Sequence, residues 1–144
     1  MPNESSSPAG AGGARPYRFR HDHRLHGRQA FKTVLESGLR KSLGPITVCG
    51  RPNALGHSRL GLSVPRRVGK ATRRNHLKRL LREAFRHQRY NFPAAYDVVV
   101  LVRTHHPRRL EAYQQLLQRG VEKVHKKARQ REDASGRSEG AAET

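Results

Sequence analysis

The sequence predicts a two-layer α/β sandwich of the α+β kind, with its elements in the order αββαβα. Three observations carry that expectation. Apolar residues recur at helical spacing in three stretches, they alternate at strand spacing in two others, and the run DVVVLV at 97–102 is built almost wholly of Val and Leu. A chain of 144 residues fits one domain of ordinary size, able to bury roughly two-thirds of its unfolded surface.

The first helix is expected at 27–37, where Ala30, Phe31, Val34 and Leu35 share a face and Gly38 follows as a terminator. Two strands are expected at 45–50 (PITVCG) and 59–64 (RLGLSV), the second with Leu60, Leu62 and Val64 on one face. Pro52, Asn53 and Gly56 supply turn chemistry between them, so the two read as a hairpin. A long helix follows at 70–89. The third strand, 97–102, is apolar along its length and belongs at the sheet centre, covered on both faces. Pro107 then opens a last helix with Leu110, Tyr113, Leu117, Val121 and Val124 toward the core. The stretches 1–14 and 131–144 are rich in small and polar residues and read as disordered tails around a single domain at 15–130.

Charge is the dominant compositional fact. The chain has 30 Lys and Arg against 11 Asp and Glu, a formal net charge of +19. The two tails hold two of those cations and five of those anions, so 15–130 carries 28 against 6, or +22. Self-repulsion on that scale opposes compaction, and a polyanionic partner is the simplest reason to keep it. Nucleic acid fits that description. A membrane surface fits less well, because no apolar run approaches about 18 residues and the opening MPNESSSPAGAGGA lacks the pattern of a secretion signal. The expectation is a cytoplasmic protein. Cys49 is the single cysteine, which leaves no disulfide and no cysteine-based zinc site within one chain.

The segment 64–89, VPRRVGKATRRNHLKRLLREAFRHQR, superimposes two patterns on one helix. Leu77, Leu80, Leu81, Ala84 and Phe85 form a core stripe. At 100° per residue, Asn75, Arg79, Arg82 and Arg86 fall together on the opposite side, with Lys78 on the flank. A solvated helix face is the bland reading, but such faces intersperse acids at i,i+4, and Glu83 is the one acid here. Lys70, Arg73 and Arg74 also occupy the first turn, where the helix dipole disfavours cations by roughly 0.3 to 1 kcal/mol each. Local stability is being sacrificed consistently, which is the mark of a site. With Arg66 and Arg67 just upstream, the helix N-terminus and a fan of guanidinium groups can meet phosphates together.

The succession Val68-Gly69-Lys70-Ala71, Arg73-Arg74-Asn75, Lys78-Arg79 and Arg82-Glu83 resembles the signature helix of the bacterial ribonuclease P protein family. The preceding RLGLSV is similar to the family's strand, 31–38 resembles its first helix, and the likeness runs over 23–126. What the resemblance implies is a sandwich like the second domain of a small-subunit ribosomal protein, with a left-handed βαβ crossover where general rules favour the right-handed one. It implies a subunit of an endoribonuclease whose chemistry belongs to a catalytic RNA with magnesium, the protein itself holding no cofactor and no catalytic residue. The RNA-binding positions would be Arg66, Arg67, Lys70, Arg73, Arg74, Asn75, Lys78, Arg79, Arg82 and Arg86. A cleft for the 5′ leader of precursor tRNA would use Phe31, Leu35 and Cys49, the last two standing where relatives often carry aromatics. His76 replaces a common Arg, and Pro65 a small polar residue.

Other signals weigh less. Gly69-Lys70-Ala71-Thr72 lacks the earlier glycine of a nucleotide-binding loop, since Val64 stands there. His21, His23 and His26 with Asp22 match no strong metal-binding spacing. Tyr17 and Phe19 lie among Arg15, Arg18 and Arg20, as in an arm that orders on RNA or anchors to the core. The six acids of the core segment are scattered, which argues against a self-sufficient nuclease. The competing reading is a ribosomal or other structural RNA-binding protein without processing activity.

Overall fold

The computed structural model describes residues 23–37 and 39–143, with backbone alone from 135 onward. The predicted tail at 1–14, the Tyr17 and Phe19 arm, and His21 and Asp22 lie outside the described residues. Among the described residues three helices and four strands follow in the order α1 (Arg28–Glu36), β1 (Arg40–Leu43), β2 (Ile46–Pro52), β3 (Arg59–Ser63), α2 (Ala71–Gln88), β4 (Tyr96–Val102) and α3 (Leu110–Glu143). The mixed α/β architecture agrees with the sequence expectation, with one strand more than the predicted order contains.

That extra strand changes the pairing. The sheet order is β1-β2-β4-β3, so the expected hairpin between β2 and β3 does not exist. β2 instead makes its hairpin with β1, in register from Leu43 opposite Ile46 to Arg40 opposite Cys49. Gly44 and Pro45 form the two-residue connection, and Gly44 has φ 60°, the left-handed backbone that such tight hairpins require and glycine tolerates. β1 (RKSL) escapes periodicity because it is short, charged and at the sheet edge, where cations guard against further pairing. β4 was expected at the centre and is there, antiparallel to β2 and parallel to β3. A largely apolar strand is stable at the sheet centre, and β2 and β3 are the two neighbours it takes there.

The loop between β2 and β3 therefore crosses the end of β4 rather than turning back on itself. Asn53 N donates to Ala95 O at 3.1 Å, and Tyr96 N donates to Ser58 Oγ at 3.0 Å. Beneath it lies Asp97, 5% exposed. Arg59 grips its carboxylate through Nε (2.8 Å) and Nη2 (2.6 Å), and Asn53 Nδ2 adds a third donor at 2.8 Å.

Strand alternation gives the sheet two faces. Ile46, Val48, Leu60, Val98 and Val100 meet Leu77, Leu81, Phe85, Tyr113, Leu117 and Val121 of α2 and α3 in the main core. Cys49 and Val99 point the other way, beneath Val34 of α1 and beside Leu25. α3 lies so close to the sheet that a Cβ on Gly120 would stand 2.5 Å from Val48 Cγ2 and 2.9 Å from Leu43 Cδ1. Gly→Ala inside a helix ordinarily stabilises by about 1 kcal/mol. Here Gly120→Ala is expected to have the opposite sign, destabilising by about 1 to 3 kcal/mol through overpacking, and urea unfolding of the two proteins measures it.

α3 begins at Leu110, three residues after Pro107, and Arg108 N donates to Tyr113 Oη at 3.0 Å just ahead of it. Its helical backbone continues past residue 130, where the sequence suggests an irregular tail. No proline interrupts it, and extending a packed helix needs no new nucleus. Burial ends at Ala128, but Lys127 Nζ and Arg131 Nη1 still donate to Arg40 O (2.5 Å) and Ser37 O (2.7 Å), tying α3 to the junction of α1 and β1.

Candidate nucleic-acid interface

The approach to α2 is built by a 3-10 turn over Arg66–Val68. Pro65 precedes it in an extended conformation and accepts from Val68 N at 3.0 Å, a position where a missing N–H costs nothing. Val68 is buried and Thr104 Oγ1 donates to Arg67 O at 3.1 Å, so the turn is pinned to the end of β4 while Arg66 and Arg67 remain exposed. Gly69 follows with φ 152°, and a Cβ there would meet Arg73 Cδ at 2.7 Å. Glycine thus lets the Arg73 side chain lie across the turn. α2 starts with no side-chain cap and no acid in its first turn, leaving its amide donors and positive dipole end facing outward.

Leu77, Leu81, Ala84 and Phe85 are buried and Leu80 is partly buried, as the stripe predicts. On the other side Asn75, Arg79, Arg82 and Arg86 line a shallow depression of about 400 Å³ together with Arg24 and Glu83. Lys70, Arg73 and Arg79 are exposed, while Arg74, Lys78 and Arg82 are half-buried. His76 is exposed beside them. Burial and, after it, the Arg24 charge push the Arg82 guanidinium below its ordinary value, since both disfavour the charged form.

Two of the predicted positions prove partly occupied. Arg86 is ion-paired with Glu83, which also sits 3.4 Å from His87 Nε2. Arg74 turns back and donates from Nε to Gly69 O at 3.1 Å. Among the described residues the ion pairs are those of Glu83, Lys32–Glu36 and Arg59–Asp97. None of them engages Arg66, Arg67, Lys70, Arg73, Lys78, Arg79 or Arg82. Arg24 is a member that sequence reasoning missed. A single bridge between Arg24 and Leu60, with Leu25 N donating to Leu60 O at 2.9 Å, lays this segment along the free edge of β3 beside α2. One bridged residue leaves no periodic trace in a sequence.

The expected leader cleft divides. Phe31 and Leu35 line an apolar depression of about 470 Å³ on α1, with Gly27, Arg28, Lys32 and Glu36 around it. Phe31 sits directly over Gly61, where any Cβ would fall 2.5 Å from Cζ. Cys49, by contrast, is 1% exposed beneath α1, and burial pushes its thiol up, the Arg40 charge opposing that more weakly. It supports α1 from below and offers no contact surface, which corrects its assignment to the cleft. The small side chain is what lets α1 settle onto the sheet there.

The sequence model of the Ribonuclease P family matches residues 19–129. The chain belongs to the ribonuclease P protein family. The ribonuclease P protein component of Methylococcus capsulatus is 43% identical over 89 residues, 61% of this chain and 69% of that protein. That of Thermotoga maritima is 41% identical over 85 residues, 59% of this chain and 73% of that one. A solved structure of the RNase P protein from Thermotoga maritima superposes with a TM-score of 0.60 at 34% identity, covering 67% of this chain and 96% of its own. The Staphylococcus aureus RNase P protein gives a TM-score of 0.54 at 27% identity, covering 74% and 94%. The ribonuclease P family match begins before Arg24 and ends after Ala128, so it takes in both the α2 face and the α1 depression.

Proposed function

We propose that this chain is the RNA-binding subunit of a ribonuclease P ribonucleoprotein that removes the 5′ leader of precursor tRNA. The observation that carries the reading is the α2 face, where guanidinium groups from two segments converge around Asn75 and Glu83 is the one carboxylate among the described residues that line it. Phosphate oxygens neutralise such a face, and release of the counterions condensed on RNA supplies the affinity. The catalytic RNA is the partner met by Arg66, Arg67, Lys70, Arg73, Asn75, Arg79 and Arg82. The leader lies on α1, where Phe31 and Leu35 offer apolar surface to a base and Arg28 and Lys32 flank it for phosphates.

The chemical step is assigned to the RNA and its magnesium ions, and the protein contributes position and charge. By offsetting repulsion between catalytic RNA and substrate it lowers the magnesium needed for assembly, and by holding the leader it fixes the scissile phosphate. No helix among the described residues is long and apolar enough to cross a membrane, and the working compartment proposed is the cytoplasm.

Cleavage of a precursor tRNA by bacterial ribonuclease P RNA at low magnesium, with and without this protein, tests the reading. The expected result is strong stimulation with a correctly formed 5′ end and no cleavage by the protein alone. Tight RNA binding without stimulation would overturn the processing role.

A further inference from the structure

Beyond Gln88 the chain continues in a 3-10 turn over Arg89–Asn91. Arg89 and Tyr90 stack in it: the guanidinium carbon is 4.9 Å from the ring centre, and Nη2 donates to Tyr90 Oη at 3.0 Å. The same guanidinium donates from Nη1 to His23 Nδ1 at 2.6 Å. The His23 ring in turn meets the edge of the His57 ring, their centres 5.6 Å apart. Arginine can only donate, so Nδ1 of His23 accepts and its ring proton sits on Nε2.

These four side chains come from three separate parts of the chain: the segment before α1, the loop between β2 and β3, and the turn after α2. They line a depression of about 250 Å³ together with Ser58 and Phe92, and none of the described residues that line it is a carboxylate. The core does not need Tyr90. Phe92 closes this end of the domain against Phe85 with ring centres 5.8 Å apart, whereas Tyr90 is 57% exposed. The depression adjoins the α2 face through neighbouring residues, His23 beside Arg24 and Arg89 one turn beyond Arg86, and no α1 residue lines it.

We propose that this depression is a nucleotide subsite: one unpaired RNA base stacks on Tyr90 while Arg89 and the two histidines take its phosphate or base edge. An exposed aromatic ring beside a guanidinium is the pairing that single-stranded RNA recognition uses, since every base has a face to stack and every nucleotide a phosphate. The subsite rests on the RNA-subunit reading given above. Its position in line with α2 assigns the nucleotide to the catalytic RNA; the precursor leader is the other source of the same chemistry.

The test uses the full chain and the variants Tyr90→Ala, Tyr90→Leu and Tyr90→Phe. Affinity for ribonuclease P RNA is measured over a salt series, and the assembled holoenzymes are then titrated with precursor tRNA with and without its leader. Tyr90→Ala and Tyr90→Leu are expected to weaken binding of the catalytic RNA roughly 10-fold with the salt slope unchanged, because a stacked ring carries no charge. Tyr90→Phe, which keeps the ring, is expected to bind like the parent. A loss seen only with leader-bearing precursor supports the subsite and assigns its nucleotide to the leader. Parental affinity of Tyr90→Ala and Tyr90→Leu in both titrations overturns the subsite while leaving the RNA-subunit role standing. Failure of the parent protein to bind or stimulate the RNA overturns both.

Discussion

Replacing Arg73 and Arg79 together with alanine is expected to weaken binding of the catalytic RNA roughly 100-fold, taking about 1.5 kcal/mol for each charge-assisted hydrogen bond to a phosphate that the variant can no longer make. The log–log dependence of affinity on salt should become shallower by about 2, one unit for each phosphate no longer neutralised. The structure selects these two from the cationic set. Both are exposed, whereas Arg74 spends its Nε on Gly69 O and Arg86 is tied to Glu83. Removing the first pair therefore costs no internal hydrogen bond, and alanine favours the helix. Thermal stability should stay level or rise as repulsion is relieved. A filter-binding series from low to moderate salt, beside a melting curve, reads both quantities, and an unchanged slope would mean that these side chains face solvent in the complex.

Asp97→Ala is expected to destabilise the fold by about 3 kcal/mol, the lower end of the range for breaking a buried pair, because Arg59 can turn its freed guanidinium toward water. The carboxylate holds Arg59 and Asn53 at once, so its loss also releases the loop that crosses the end of β4. Burial alone would raise the Asp97 pKa. The hydrogen bonds from Arg59 and Asn53, with the charges of Arg59 and Arg51, outweigh it and leave the group below the usual carboxylate range. A carboxyl lowered on folding stabilises above its unfolded value, about 3.9, and that contribution disappears as pH falls through the lower folded value. Between neutral pH and about pH 5 the Asp97 contribution should be flat. Below that range the parent should lose it and the alanine variant have none to lose, so urea midpoints of the two proteins should converge in acid. Parallel curves down to about pH 2 would count against this role.

Much of the α2 candidate site was legible in the sequence because a helix writes its two faces into local spacing. The stripe through Leu77, Leu81 and Phe85, the opposed line of Asn75, Arg79 and Arg82, and the acid-poor first turn are all relations within a few residues, and each survives folding unchanged. The pairing of Arg86 with Glu83 is also local, and its i,i+3 spacing was the signal available for it. β4 was legible for a related reason: an unbroken Val and Leu run can be stable only where both faces are covered.

The sequence by itself thus determined most of the stretches that become helix and strand, β1 and the last turns of α3 excepted, which side of α2 carries the cations, and the family to which the chain is similar. Tertiary structure alone decided which elements meet. Strand pairing depends on competition among edges far apart in the chain, so β4 separates β2 from β3 although turn residues made them look like a hairpin. Close approach is likewise invisible to periodicity. Nothing in the spacing tells that Gly61 lies under Phe31, that Gly120 lies on Val48, or that Cys49 is sealed beneath α1. The same holds for Arg24 at the α2 face and for His23 and His57 beside Arg89 and Tyr90. Each is brought to its place by one bridge or one crossing loop, and an approach made once between distant segments has no period to read.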